Sequence, residues 1–222
     1  MDSPGRAAAA AAAAELVEPG MTIGLGSGRA VWATLELLRG RDVRAAAASS
    51  RTEELLRDAG IPVVELDGGV RLQLAIDGAD EIDPDLGLIK GGGAAMLREK
   101  LVVKAADRFV VVAEATKKVG RLGQTRRLPV EVVRFAWRDT QRRLLSLVPA
   151  ADLRHSEHGD SVVTDEGHYI LDCELPGSGD LGALGQAIKA EVGVVEHGLF
   201  IGMTSLALLG KDDGSVECVS AY

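Results

Sequence analysis

The sequence has 222 residues, 46% of them hydrophobic, and its 25 lysines and arginines stand against 33 aspartates and glutamates for a net charge of -8. That balance argues against a nucleic-acid surface, which needs a basic face, and the length suits one compact unit or two small domains around a sizeable core. No apolar stretch reaches the ~20 residues of a membrane span. The alanine run at residues 7–14 follows Arg6 and continues into "ELVEPG". It reads as a helix ending before Pro19 and Gly20, not as the core of a signal peptide, because alanine is a strong helix former and only weakly hydrophobic. "MTIGLGSG" is then a short strand running into a glycine loop. "RAVWATLELLRG" is helical, with Val31, Leu35 and Leu38 on one stripe and Gly40 as its stop. "DVRAAAASS" reads as a strand, "RTEELLRDAGIP" as a short helix, "VVEL" and "RLQLAI" as strands, "AAMLREKLVVKAA" as a helix from about Ala94, and "RFVVVAEA" as a strand buried on both sides. Strands alternating with helices predict a wound, mainly parallel α/β sheet.

The character changes near Leu128. "LPVEVVRF" reads as a strand, "RDTQRRLLSLV" as an amphipathic helix, and "SVVTDEGHYILDCEL" as a hairpin turning at Glu166-Gly167. "LGALGQAIKAEV" is helical and "VVEHGLFIG" a strand, which completes a small α+β module. "SLALLGKDDGSVECVS" reads as a hairpin turning at Asp213-Gly214 that returns to the first domain. The expected division is 1–126 plus 199–222 for a catalytic α/β domain and 127–198 for the small one.

Cys173 and Cys218 lie in strand-like sequence with no metal-ligand neighbour at useful spacing, so they read as reduced, packed thiols of a cytoplasmic protein. His155, His158, His168 and His197 are scattered, and no metal is expected at them.

The chemistry concentrates elsewhere. Residues 77–100, "DGADEIDPDLGLIKGGGAAMLREK", hold six acids, three cations and a triple glycine. Asp77 and Asp80 follow a strand and so sit where wound sheets place their ligands, with an Asx turn as the alternative. Lys90 precedes Gly91, Gly92 and Gly93 at a helix start, which resembles an oxyanion site of a point charge with open N–H donors. Glu99 shares its helix face with Ala95, Met96, Val102, Val103 and Ala106. A carboxylate on a face that should be buried suits a general base, and a salt bridge to Lys104 is the alternative. The glycines at 24, 26 and 28 lie between a strand and a helix, where backbone N–H groups can meet an anion. Lys117 follows the buried strand, and spacing leaves open whether it or Lys118 points inward.

These residues resemble the type A ribose-5-phosphate isomerase family. The central motif is long and specific, and the resemblance extends through "GLGSG", "TEELLRDAGIP", "FVVVAEATKKVGRLG", "LPVEVV", "VVTDEGHYILDC" and "VVEHGLFIGM" in the expected order. It implies interconversion of ribose 5-phosphate and ribulose 5-phosphate in the non-oxidative pentose phosphate pathway, no metal or organic cofactor, a homodimer or homotetramer, and a ferredoxin-like small domain. By the same resemblance Glu99 shuttles the proton between C1 and C2. Asp77 and Asp80 serve ring opening and the sugar hydroxyls, in a segment that includes Gly78 and Ala79. Lys90 and Lys117 contact the substrate beside Gly91, Gly92 and Gly93, and the loop Gly26-Ser27-Gly28-Arg29-Ala30 receives the phosphate. The family loop reads G-T-G-S-T, so Arg29 and Ala30 replace two hydroxyl-bearing residues, and the Ser49–Thr52 loop is short. Arg29 is expected to take over phosphate binding. Another sugar-phosphate enzyme, or a non-catalytic sugar-phosphate sensor on this fold, is the alternative reading; a sensor has no use for a buried Glu99.

Overall fold

The computed structural model describes residues 3–221. In chain order its elements are α1 (Pro4–Glu15), β1 (Thr22–Leu25), α2 (Arg29–Leu37), β2 (Arg44–Ala47), α3 (Ser50–Asp58), β3 (Leu74–Asp77), β4 (Glu81–Ile82), β5 (Leu88–Ile89), α4 (Met96–Lys104) and β6 (Phe109–Glu114). They continue with β7 (Leu128–Val132), α5 (Trp137–Leu144), β8 (Ala151–Leu153), β9 (Tyr169–Cys173), α6 (Leu181–Ala190), β10 (Val194–His197), β11 (Leu199–Phe200), β12 (Leu206–Gly210) and β13 (Val216–Ser220). Among the described residues no helix is long and apolar enough to cross a membrane.

The chain divides into two compact units, one of Met1–Ala79, Arg98–Lys118 and Gly202–Tyr222, the other of Asp80–Leu97 and Val119–Ile201. In the first, six strands run in the order β13-β12-β6-β3-β1-β2. All neighbours are parallel except the β12–β13 hairpin, which turns at Gly214 with φ +82°. This is the wound, mainly parallel α/β sheet that the alternation of elements predicts. Ile23, Leu25, Ile76, Val110 and Val112 on the strands meet Val31, Leu35 and Leu38 from the α2 stripe in one core.

The alanine run has a packing reason. A Cβ built on Gly5 would stand 2.6 Å from the carbonyl oxygen of Gly210, so α1 lies directly on β12. Ala9, Ala10, Ala13 and Ala14 are buried beneath it, where larger side chains would hold the helix off the sheet.

The second unit contains the order β7-α5-β8-β9-α6-β10, folded as an antiparallel sheet β10-β7-β9-β8. That is the ferredoxin-like arrangement. Leu128, Val130 and Val132 of β7, with Leu171 and Cys173 of β9, pack against Leu144 of α5 and Ile188 of α6. The expected turn at Glu166-Gly167 is present, with Gly167 at φ +81° and its N–H donated to the Thr164 carbonyl at 2.9 Å. A further three-stranded sheet, β11-β5-β4, holds the acid-rich segment.

Several elements differ from expectation. "VVEL" makes only an isolated bridge, Val63 to Ala45, and "RLQLAI" is strand only from Leu74. "VVEHGLFIG" is two strands in two sheets, because the chain turns at Gly198. Its N–H donates to Pro129 at 2.8 Å, its carbonyl accepts from Lys90 at 2.9 Å, and a Cβ there would stand 2.1 Å from the Lys90 oxygen. The helix bearing Glu99 begins at Met96, not Ala94, since Ala94 has φ +66°, a left-handed turn conformation.

Candidate active site

In the first unit the candidate residues gather at the carboxyl ends of the parallel strands. The glycine loop follows β1, Ser49 follows β2, Asp77 closes β3, and Lys117 ends a 3-10 turn, Ala115–Lys117, after β6. Asp77 is 1% exposed. Its Oδ1 accepts the N–H of Ser27 at 3.2 Å and of Gly78 at 2.7 Å. Gly26 is obligatory here: a Cβ on it would lie 1.8 Å from the Asp77 carboxyl carbon. Asp77 is thus seated in the glycine loop itself.

That seating changes what the loop offers an anion. Gly26 donates its N–H to Ile76 at 2.9 Å and Ser27 donates to Asp77, so neither faces outward. The N–H groups of Arg29 and Ala30 belong to the first turn of α2, which Gly28 caps in a conformation with φ +120° and no side-chain bond. Arg29 is exposed and makes no ion pair or hydrogen bond with its side chain among the described residues.

A hydroxyl network ties the next loop to this one. Thr52 donates to the Gly26 carbonyl at 2.8 Å and accepts from the Trp32 indole at 3.1 Å. Ser49 caps α3 through the Thr52 N–H and lies 3.1 Å from the Ser27 hydroxyl. The short Ser49–Thr52 segment is therefore packed against the glycine loop.

Glu99 is 4% exposed. Val102, on its helix face, approaches Gly24 of β1 so closely that a Cβ there would stand 2.3 Å from it. The carboxylate rides the face of α4 that packs on the sheet, as the apolar spacing predicts. Lys117 is half-buried, whereas Lys118 is exposed and paired with Glu217 at 2.6 Å. Ala79, like Gly78, is half-buried just past β3.

In the second unit Asp80 accepts the Gly92 N–H at 2.8 Å, and a Cβ on Gly92 would come within 2.9 Å of its carboxylate. The expectation of a triple glycine with open donors is corrected at Gly92, whose N–H belongs to Asp80. Gly91 supplies φ +99°, and its carbonyl accepts from Ala94 at 3.0 Å. Lys90 is 2% exposed, with its Nζ 5.6 Å from the centroid of the Phe200 ring. Gly93 has open space where a Cβ would be.

Sequence reasoning missed three groups. Glu81, fully buried, accepts the N–H groups of Gly123, Thr125 and Arg126 and the Thr125 hydroxyl, so it folds the 120s loop around one carboxylate. Asp83 caps its own turn through Asp85 and Gly87, and burial raises its pKa against those bonds. Most acids of the acid-rich run thus serve backbone donors. The third group is Arg154 with Asp172, which holds the glycine segment from the sheet. Their number in the chain, far from the motif, gave no signal. Arg154, Asp172, Asp80, Gly92, Arg126 and Arg127 line one cavity of about 460 Å³.

Among the described residues no group of three or more His, Cys, Asp or Glu side chains is placed to hold a metal ion. Cys173 is a packed thiol as expected, and burial pushes it up to about 12; Cys218 is not packed but exposed, on the edge strand β13.

Residues 44–214 match the family described as ribose 5-phosphate isomerase A (phosphoriboisomerase A). The chain belongs to that family. Ribose-5-phosphate isomerase A of Roseiflexus castenholzii is 49% identical over 219 residues, covering 96% of this chain and 94% of the relative. Ribose 5-phosphate isomerase from Plasmodium falciparum superposes with a TM-score of 0.92 at 35% identity, over 99% of both chains. A D-ribose-5-phosphate isomerase in complex with phospho-erythronic acid superposes with a TM-score of 0.92 at 31% identity, over 99% of this chain and 100% of that one. The isomerase family's fold is therefore this chain's fold across its length.

Proposed function

We propose that this chain interconverts D-ribose 5-phosphate and D-ribulose 5-phosphate through an enediolate. The observation that carries the reading is Glu99, a carboxylate 4% exposed on a sheet-packed helix face in a chain of this isomerase family. Asp77 assists opening of the furanose by moving the anomeric hydroxyl proton. Glu99 removes the proton from C2, and the C–H electron pair becomes the C1=C2 bond as charge gathers on the C1 oxygen. Lys90 stabilises that charge; one oxyanion donor is worth about 3 kcal/mol. The C1 oxygen takes a proton, the C2 hydroxyl gives one up, and Glu99 returns its proton to C1.

Asp80 and Lys117 hold sugar hydroxyls and substrate oxygens. The phosphate is assigned to the start of α2, where Arg29 donates in place of the family's hydroxyls. The catalytic domain of this reading is 1–126 with 199–222 and the small domain 127–198; the compact units are drawn differently, since Asp80–Leu97 groups with Val119–Ile201. The same reading carries a cytoplasmic homodimer or homotetramer that uses no metal, no organic cofactor and no nucleic acid. A different sugar-phosphate enzyme or a sensor on this fold is not favoured, since a sensor gains nothing from a buried base. Incubating the purified protein with ribose 5-phosphate and EDTA tests the reading. Ribulose 5-phosphate should form at an undiminished rate, and its absence, or an activity that a divalent ion must restore, contradicts it.

A further inference from the structure

The peptide unit between Gly91 and Gly92 is held at both ends. Its N–H donates to Asp80 Oδ2 at 2.8 Å, and its carbonyl accepts from Arg154 Nη1 at 2.8 Å. The same Nη1 reaches the Gly92 carbonyl at 3.2 Å. The other edge of the guanidinium grips Asp172, with Nε 2.9 Å from Oδ2 and Nη2 bonded to Oδ1. Both side chains are largely withdrawn from solvent, at 15% exposure for Arg154 and 26% for Asp172. Asp172 is fixed on β9, in register with Pro129 of β7 and Asp152 of β8, so the fork springs from the middle of a sheet.

A side chain at either glycine would disturb this arrangement. The two polar ends of this trans peptide point opposite ways; Gly91 at φ +99° supplies the backbone turn that aims them at Arg154 and Asp80, and a Cβ on Gly92 would come within 2.9 Å of the Asp80 carboxylate. A cation on a peptide carbonyl polarises that peptide and strengthens its N–H as a donor. The carboxylate of Asp80 receives the bond so strengthened. Without the fork, the Gly91 carbonyl would keep only the Ala94 N–H at 3.0 Å, and the peptide that fixes Asp80 would lose its charged anchor.

We propose that Arg154, anchored by Asp172, is a positioning residue for the isomerisation, orienting Asp80 through the Gly91–Gly92 peptide. The inference rests on the substrate role assigned to Asp80 above. It adds a charged pair from the small sheet that the central motif does not contain.

The test uses purified full-length wild type, Asp80→Asn, Arg154→Met, Arg154→Lys and the double variants, with kcat and KM measured for ribose 5-phosphate. Arg154→Met should lower kcat at least about tenfold with a smaller rise in KM, because a misaimed Asp80 holds the sugar out of its reactive geometry more than out of the site. Arg154→Lys retains one donor but no fork and should fall between. In the Asp80→Asn background either Arg154 substitution should cost less than about twofold more, since both act through one group. A merely structural role predicts fewer folded molecules, unchanged kcat per folded molecule and losses that multiply in the double variants; that pattern overturns the inference, as does wild-type kcat in Asp80→Asn. Should Arg154→Met fail to fold, Arg154→Lys decides: a kcat loss that vanishes in the Asp80→Asn background supports the inference, and wild-type kcat refutes it. A wild type inactive on ribose 5-phosphate fails the functional reading itself, whereas active wild type with unaffected Arg154 variants fails only this inference.

Discussion

The carboxylate of Asp77 fills the space where a side chain on Gly26 would stand: a Cβ there would lie 1.8 Å from the Asp77 carboxyl carbon. One carboxylate and one missing methyl thus form a single fitted unit, locked by the Ser27 and Gly78 N–H groups. Gly26→Ala should push Asp77 off these donors. We expect a cost of about 1–3 kcal/mol in stability from overpacking and a kcat loss of at least about tenfold from misplacement. Urea denaturation and steady-state kinetics measure both, and a variant with wild-type kcat refutes the fit between the two residues.

Glu81 is the acid whose loss the fold should feel most. Four donors of Gly123, Thr125 and Arg126 converge on its fully buried carboxylate. Glu81→Ala leaves them without an acceptor, at a cost of at least about 3 kcal/mol. The urea midpoint should drop accordingly. A drop equivalent to under about 1 kcal/mol, the level of an ordinary surface change, contradicts the anchoring role.

Glu114, at the end of β6, gives a pH signature. A hydrogen bond from Ser3, and then the bond and charge of Arg6, hold its carboxyl below the usual 4.5. A depressed folded-state value means that the unfolded chain binds the proton more tightly. The contribution is present above pH 4.5 and fades as pH falls below it toward the folded value. The melting temperature of wild type should therefore exceed that of Glu114→Gln at neutral pH, and the gap should narrow as the pH is lowered toward about 3. A gap that stays constant over that range is the contrary result.

Arg29 carries the phosphate assignment. It stands at the first position of α2, where a cation opposes the helix dipole at a cost of about 0.3–1 kcal/mol and a bound phosphate reverses the sign. Arg29→Ala should raise KM for ribose 5-phosphate at least about tenfold, or roughly 1.4 kcal/mol. The free protein should be no less stable. An unchanged KM removes Arg29 from the phosphate site.

How much of this was legible depended on range. Glu99 could be read because its apolar neighbours lie within two helical turns, and burial followed from spacing alone. The parallel strands were legible for the same reason, and so were the turns at Gly167 and Gly214. The short strands β4, β5 and β8 were not, since two or three residues carry no periodicity. Nor was the split at Gly198, which is imposed by the oxygen of Lys90, more than a hundred residues earlier in the chain. The same limit hid Arg154: its partners Gly91 and Gly92 lie about sixty positions away, and only the folded sheet brings them together. In the acid-rich run the sequence singles out Asp77, Asp80 and Glu99 for chemistry and gives no role to Glu81, Asp83 or Asp85. Locally the run is also a set of caps, with Glu81 and Asp83 spent on backbone donors.

The central claim is that Glu99 is the base of an aldose–ketose isomerisation. It is tested most directly by following ribose 5-phosphate by NMR with wild type and with Glu99→Gln, which keeps the shape and removes the base. Wild type should yield ribulose 5-phosphate, and Glu99→Gln should lower kcat by about 10²–10⁴-fold, the range of general-base catalysis, with KM little changed and the fold intact. A folded Glu99→Gln variant that isomerises within about threefold of the wild-type rate would contradict the claim.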